Sequence, residues 1–495
     1  MGTDPRIGPV RRETAASLSL ANLASHPLES APLWCPCPIT ASAKTRADRD
    51  SAGSSRDDES PFQFEQCISA LARRRSADAM GVFQINGVGE GGDEDAFDRQ
   101  RQISWWDQER VEGSRILVVG AGAVGNETLK NLVLLGVGYL LVIDFDAVAT
   151  SNLSRTVLFR RGDETKNKAA TASTRASELS LRPNATIEHA DADVAWDIGA
   201  GIFRRVDLVL GCVDNAEARL AINRQCFENH IPWIDAGIHE LACHVSVYQP
   251  GTSACYACNV SNAQLEDARR RYSCDAVRRT FLAQGRAPTV QVASALVSAL
   301  QTQEAMKLRC GHVVQSGAKL FFQGATNIMD SCELRLNAKC ALHHQPVRTP
   351  VQTGHGRSTR VREFLEWLDR TSPSPSGSCL DMTGLGWSLL RSVACGTCGK
   401  RVVLNRPNYR VLEDSCFCEA CGPAQTRSYP LDQQYVSAIR VTDAEPGLLD
   451  LTLGDLGFPL AGLIPVARHD GEPVWYELTQ DIVDHFPGLA KVSSP

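Results

Sequence analysis

The stretch from residue 116 to residue 144 most constrains what this chain can become. Ile116-Leu117-Val118-Val119 is a short apolar run that ends in Gly120-Ala121-Gly122-Ala123-Val124-Gly125. A helical period follows, with Leu129, Leu132, Val133 and Leu135 on one side, and a second apolar run, residues 139–143, stops at Asp144. Strand, glycine turn, helix and strand in that order make a βαβ unit. Gly120 permits the tight turn, Gly122 lets backbone approach a phosphate, and Gly125 allows the helix to pack closely on the strand. The helix start offers free N–H groups and the positive end of its dipole. Asp144 stands about 20 residues after the glycines, where an acid accepts hydrogen bonds from ribose hydroxyls. Asp146 beside it joins the cofactor-binding candidates, and nucleotide binding is the expectation.

Further apolar runs at residues 206–210, 231–234 and 244–248 read as buried strands, and a helical pattern spans residues 289–308. Continuous apolar strands predict a parallel sheet covered on both faces. The expected fold class is α/β: a Rossmann-like, mostly parallel sheet with helices on both faces. Residues 1–93 are rich in Ser, Arg, Asp, Pro and Gly and read as a disordered extension, in which Cys35 and Cys37 carry no assignment. Residues 94–345 hold the α/β domain. Residues 346–360 read as a linker, and residues 361–495 as a smaller C-terminal α+β domain opening on an amphipathic helix.

Acidic residues outnumber basic ones by 57 to 51, a net charge of -6, so no general pull toward nucleic acid or anionic membrane is expected. No run of apolar residues is long enough to suggest a membrane span. Several of the 18 cysteines form Cys-x-x-Cys pairs, which in a long chain read as metal ligands or redox sites and favour a reducing, cytoplasmic location.

Polar residues after the second strand extend the picture. Asn152 and Arg155 lie in Ser151-Asn152-Leu153-Ser154-Arg155, Lys168 follows Asn167, Asp214-Asn215 follows the 206–210 run, and Arg99 lies upstream in Phe97-Asp98-Arg99-Gln100. Each alone is bland. Together they supply what adenylation needs: cations to screen a polyphosphate and its departing pyrophosphate, and an acid to hold Mg²⁺. Hydride transfer with NAD needs no such set.

In this ordered set, closed by Gln303-Glu304-Ala305-Met306-Lys307, the sequence resembles the ThiF/MoeB/HesA adenylyltransferases and the adenylation domains of ubiquitin-activating enzymes over about residues 94–345. The resemblance implies an ATP site in which Asp144 binds ribose, Asn152, Arg155 and Lys168 contact phosphates, and Asp214 holds Mg²⁺. It also implies that Arg99, or Arg101 in a shifted register, is an arginine finger reaching the partner's site in a homodimer.

Cys255-Tyr256-Ala257-Cys258 and Cys340-Ala341-Leu342-His343 are half-sites that together fit a structural Zn²⁺ site of Cys₃His type, with His344 as a substitute ligand. Cys395, Cys398, Cys418 and Cys421 have zinc-ribbon spacing, with Cys416 to spare. Cys274, among Arg271, Arg278 and Arg279, matches the position of the acyl-accepting cysteine in the resembling enzymes, and its basic neighbours favour the thiolate. Cys212, Cys226, Cys243 and Cys310 read as core or incidental cysteines.

The expected function is ATP-dependent adenylation of the C-terminal carboxylate of a small ubiquitin-like or sulfur-carrier protein ending in Gly-Gly, with possible thioester formation on Cys274. The alternatives are a peptide, tRNA-linked or other carboxylate substrate, or a nucleotide-binding adaptor without turnover.

Overall fold

Five parallel strands form the floor of the structure, and the order in which they lie decides where a ligand can bind. In the computed structural model, β1 (Arg115–Val119), β2 (Tyr139–Ile143), β3 (Thr186–Ala190), β4 (Leu208–Gly211) and β5 (Trp233–His239) lie in the order β3-β2-β1-β4-β5. The chain moves one way from β1 to β3 and then returns to the other side of β1. That reversal opens a crevice at the carboxyl ends of β1 and β4. The structure describes residues 95–261, 289–340, 342, 349–373, 377–383, 385–411, 418, 420–421, 432–442, 446–467 and 473–490. Cys274, His343, His344 and Cys416 lie outside the described residues.

Side chains alternate across this sheet. Ile116, Val118, Leu140, Val142, Leu208 and Leu210 meet Leu129, Leu132 and Val133 of the helix Ala123–Leu134 on one face, where the helices Lys168–Leu179 and Gln291–Arg309 also pack. Leu117, Val119, Leu141, Ile143 and Val209 face the other way, toward Ile222, Cys226 and Phe227 of the helix Ala216–Glu228. Helices therefore cover both faces, as the apolar runs predict.

The sheet is not parallel throughout. β6 (Ala242–Tyr248), β7 (Ala318–Gln323) and β8 (Ile328–Glu333) extend it as an antiparallel meander. The sequence predicts the 244–248 run in the parallel array. It runs antiparallel because only Glu240 and Leu241 separate β5 from β6, with His239 paired to Ala242 and Glu240 at a φ of 54°. So short a connection cannot make a parallel crossover.

Within residues 346–360, read from the sequence as a linker, β9 (Val351–Thr353) pairs parallel to β16 (Val474–Leu478) in a five-stranded sheet. Its other members are β10 (Cys379–Asp381), β14 (Ala438–Arg440) and β15 (Leu463–Val466). The helix Val361–Thr371 buries Val361, Phe364, Leu365 and Leu368 against that sheet, a spacing of three and four that makes one apolar stripe. A three-stranded sheet of β11 (Leu389–Ala394), β12 (Arg401–Pro407) and β13 (Asp432–Val436) stands beside it.

This C-terminal part does not hang from the α/β core. Ile482, Phe486 and Leu489 complete the cluster formed by Tyr139, Leu141 and Phe203. Gly488 lies so close to Tyr139 that a Cβ there would sit 2.4 Å from its ring, and its N–H donates to Glu188 at 2.8 Å. Among the described residues no helix is long and apolar enough to cross a membrane.

Candidate nucleotide and metal sites

The glycine loop is built as its spacing predicts. Gly120 has a φ of 95°, a left-handed conformation costly for any residue with a side chain, and a Cβ there would stand 2.6 Å from Cys212 O. A Cβ on Gly125 would fall 1.9 Å from Gly120 O, so the helix can close on the loop only with glycine at that position. Gly122 differs: a Cβ there meets nothing within 4 Å. The backbone at Gly122 thus faces open space at the start of a 12-residue helix with no side-chain cap. A helix start left open in this way offers backbone N–H donors without intrahelical partners, the kind of groups that bind phosphate.

Asp144 closes the loop from the end of β2. Its Oδ2 accepts the Ala121 N–H at 2.7 Å and its Oδ1 accepts the Asp146 N–H at 2.8 Å. Burial raises its pKa above the ordinary carboxylate value, an effect offset in part by the nearby Lys168. Lys168 Nζ is 2.7 Å from Asp146 Oδ2, and the lysine side chain is only 12% exposed. Asn167 caps the helix that Lys168 opens and donates to Asp144 O at 2.9 Å. Asp144, Asp146, Asn167 and Lys168 therefore form one assembly beside the glycine loop.

Asn126 joins the next element to it. Its amide donates to Ala121 O at 2.7 Å, while its Oδ1 accepts the Leu158 N–H at 3.0 Å. Residues 152–158 are thereby tied to the loop. Asn152 Oδ1 accepts the Ala149 N–H at 2.9 Å, and Arg155 donates to Ser151 O at 2.9 Å. Asp214 lies exposed two residues beyond Cys212, the residue that touches Gly120.

Arg219 and Asp235 belong to this neighbourhood and escape motif reading. Arg219 donates to Asp235 Oδ1 at 2.8 Å and to Val213 O at 2.7 Å, bracing the backbone just before Asp214. His244 Nε2 lies 3.3 Å from the other oxygen of Asp235. Asp235 is buried, yet its pKa falls below the ordinary value because Arg219 and His244 outweigh the cost of burial. The only sequence signal is an acid inside an apolar strand, which demands a partner but does not identify it.

Arg99 is exposed in the short helix Asp98–Arg101. Gln100 beside it donates to Leu135 O at 3.0 Å, at the far end of the helix whose first turn faces the glycine loop. At 1.5 Å per residue that helix is about 18 Å long, beyond the reach of an arginine side chain. Arg101 is engaged by Asp95 at 2.6 Å and by Asp98 at 3.1 Å.

Two thiol clusters could hold metal. Cys255 Sγ lies 3.6 Å from Cys258 Sγ and 3.7 Å from Cys340 Sγ. These separations match a tetrahedron with metal–sulfur bonds of about 2.3 Å. Burial pushes the Cys255 thiol up, so a cation there would offset the cost of its thiolate. Cys395, Cys398, Cys418 and Cys421 converge likewise, with Cys398 to Cys418 at 3.6 Å and Cys395 to Cys421 at 3.9 Å. The N–H groups of Cys398 and Thr397 hold the Cys395 thiol down to about 6. Cys212 and Cys226 are buried in the α/β core.

Residues 97–342 match the ThiF family. A Dictyostelium discoideum protein named SUMO-activating enzyme subunit 2 is 36% identical over 150 residues, 30% of this chain and 22% of its own. Ubiquitin-like modifier-activating enzyme 5 of Drosophila grimshawi is 29% identical over 291 residues, 56% of this chain and 69% of its own. The chain thus spans less than a third of the SUMO-activating subunit's length. A solved structure of E. coli MccB with ATP is similar at 16% identity over 51% of this chain and 75% of that one, with a TM-score of 0.42.

Proposed function

Because residues 97–342 form a ThiF family domain, we propose that this chain uses ATP and Mg²⁺ to adenylate the C-terminal carboxylate of a small ubiquitin-like or sulfur-carrier protein ending in Gly-Gly. A carboxylate oxygen bonds to the α-phosphorus, the bond from that phosphorus to the bridging oxygen breaks, and pyrophosphate leaves. The observation that carries this reading is the joining of Lys168, Asp146 and Asp144 to an open glycine backbone at Gly122. In this reading Asp144 holds the ribose, the loop and Lys168 hold phosphates, and Asn152 and Arg155 extend the phosphate contacts from a turn fastened through Asn126. Asp214 would hold Mg²⁺, which screens the phosphate charge, and Arg219 would fix the backbone that carries it.

Arg99 cannot reach the site of its own chain, which supports a homodimer in which it serves the partner subunit. Zn²⁺ suits both thiol clusters, the first with His343 as a fourth ligand. Reduced thiols at those clusters suit a cytoplasmic protein. Cys274 would take the acyl group from the adenylate, its sulfur displacing AMP to form a thioester. Residues 361–495 would then present the carrier or its acceptor.

ATP–pyrophosphate exchange, measured with a panel of Gly-Gly-ending carriers, tests the reading. Exchange that depends on one carrier and is lost in Asp214→Ala supports it. ATP binding without exchange for any carrier moves the substrate to another carboxylate.

A further inference from the structure

The rim of the nucleotide site is tied to the C-terminal part by the segment after β3. In the reading above, phosphates sit beyond β1 and the ribose sits at Asp144, beyond β2. The base hangs from the ribose on the side away from the phosphates, so in that reading it falls toward the next strand end, that of β3. There Ala190 pairs with Ile143, and its carbonyl accepts the Asp144 N–H at 3.3 Å. Residues 191–199 begin at that point, and the C-terminal part grips them.

The grip is specific. The Trp196 ring stacks on Tyr409 with centroids 4.3 Å apart and planes 19° from parallel. Arg410 lies 3.7 Å from Asp197. Leu460 N–H donates to Asp197 O and Gly199 N–H donates to Leu460 O, both at 2.8 Å. Gly199 lies against Gly462, where a Cβ would come within 2.5 Å of the Gly462 Cα. Tyr409 and Arg410 lie in the turn Asn408–Arg410 that follows β12, the strand that leaves the Cys395–Cys398 hairpin.

We propose that the C-terminal part sets the affinity of the site for the purine base of its nucleotide, with Trp196 and Asp197 as positioning residues that Tyr409 and Arg410 hold in place. This rests on the ATP reading of the site. The triphosphate contacts at β1 and Lys168 lie outside the grip. Base recognition and triphosphate recognition are therefore separable.

The test is equilibrium binding of ATP and of inorganic tripolyphosphate to the full chain, comparing wild type with Trp196→Leu and Arg410→Ala. Loss of a stacked ring pair lowers ATP affinity up to about tenfold, while tripolyphosphate affinity stays unchanged. Unchanged ATP affinity in both variants, or an equal fall for both ligands, overturns the proposal. Wild-type protein that does not bind ATP removes the ATP reading and this inference with it, whereas binding that the variants do not affect removes the inference alone. If Trp196→Leu loses cooperative melting, Arg410→Ala, whose side chain is 33% exposed, carries the same comparison.

Discussion

Arg205 and Glu477, 272 residues apart in the chain, meet as a buried ion pair between the α/β core and the C-terminal sheet. Their side chains are 6% and 0% exposed, and Arg204 flanks the same carboxylate at 3.8 Å. Removing one member strands the other charge in a dry place. Glu477→Ala should therefore lower stability by about 3–5 kcal/mol, read from urea denaturation. Arg205→Met combined with Glu477→Leu should recover most of that loss, because the penalty comes from the unpaired charge.

The glycine loop separates folding from binding. Gly125→Ala puts a methyl 1.9 Å from Gly120 O and should give unfolded or insoluble protein. Gly122→Ala has room in the structure, so its melting temperature should stay within a degree or two of wild type, by about the usual small surface effect. Its ATP affinity should fall at least about tenfold, since the methyl takes up the phosphate cradle. Equal affinities for Gly122→Ala and wild type, by calorimetry, would place the phosphates elsewhere.

Arg99 offers a test of the dimer. Arg99→Ala and Asp214→Ala should each lose about 10²–10³-fold in pyrophosphate exchange, the scale of removing one electrostatic stabiliser. If the chain dimerises as proposed, the two variants mixed in denaturant and refolded together would give heterodimers with one intact site, and up to about a quarter of wild-type exchange should return by random pairing of two variants. No return on mixing would remove Arg99 from the exchange reaction and with it the support it gives to a dimer.

The two thiol clusters predict two zinc ions per chain by elemental analysis. Cys395→Ser should release one and leave the α/β core folded, since its cluster lies beyond β11, whereas Cys255→Ser should release the other and lower stability, because Cys255 is fully buried. Zinc content unaffected by either substitution would show that neither cluster is a metal site.

His244 gives the stability of the core a pH dependence. Burial lowers its pKa below the ordinary 6.5 despite the attraction of Asp235. Between 6.5 and the lowered value, the unfolded chain binds a proton that the folded chain refuses. The contribution is complete above pH 6.5 and is lost as pH falls through the folded value. Asp235, also lowered, adds loss in the same direction at more acidic pH. Denaturation midpoints should therefore fall on acidification below about pH 6.5, and His244→Gln should flatten the upper part of that slope.

The sequence makes the β1–β2 unit legible because backbone requirements there are local. A left-handed turn, a close helix and an acid at the next strand end each select a residue type within a short window. The same holds for Asn167 and Asn215, whose side chains cap the helices they precede. Arg219, Asp235 and His244 are illegible because their bonds join separate strands and a helix, and nothing local marks the pairing. Ile482, Phe486 and Leu489 likewise look like a surface helix to any short window. Their burial depends on a sheet edge some 300 residues earlier, where Gly488 meets Glu188.

That same placement governs how the protein must be made. The hydrophobic layer under β2 and β3 stays unfinished until residues 482–489 have left the ribosome. A chain that stops before residue 482 lacks the side chains that complete this layer beside Tyr139, Leu141 and Phe203, and apolar surface left open in that way is what chaperones retain and proteases cut. Completion of this layer thus depends on the C-terminal part, and the protease resistance of the α/β core should rise only once residues 482–489 are present.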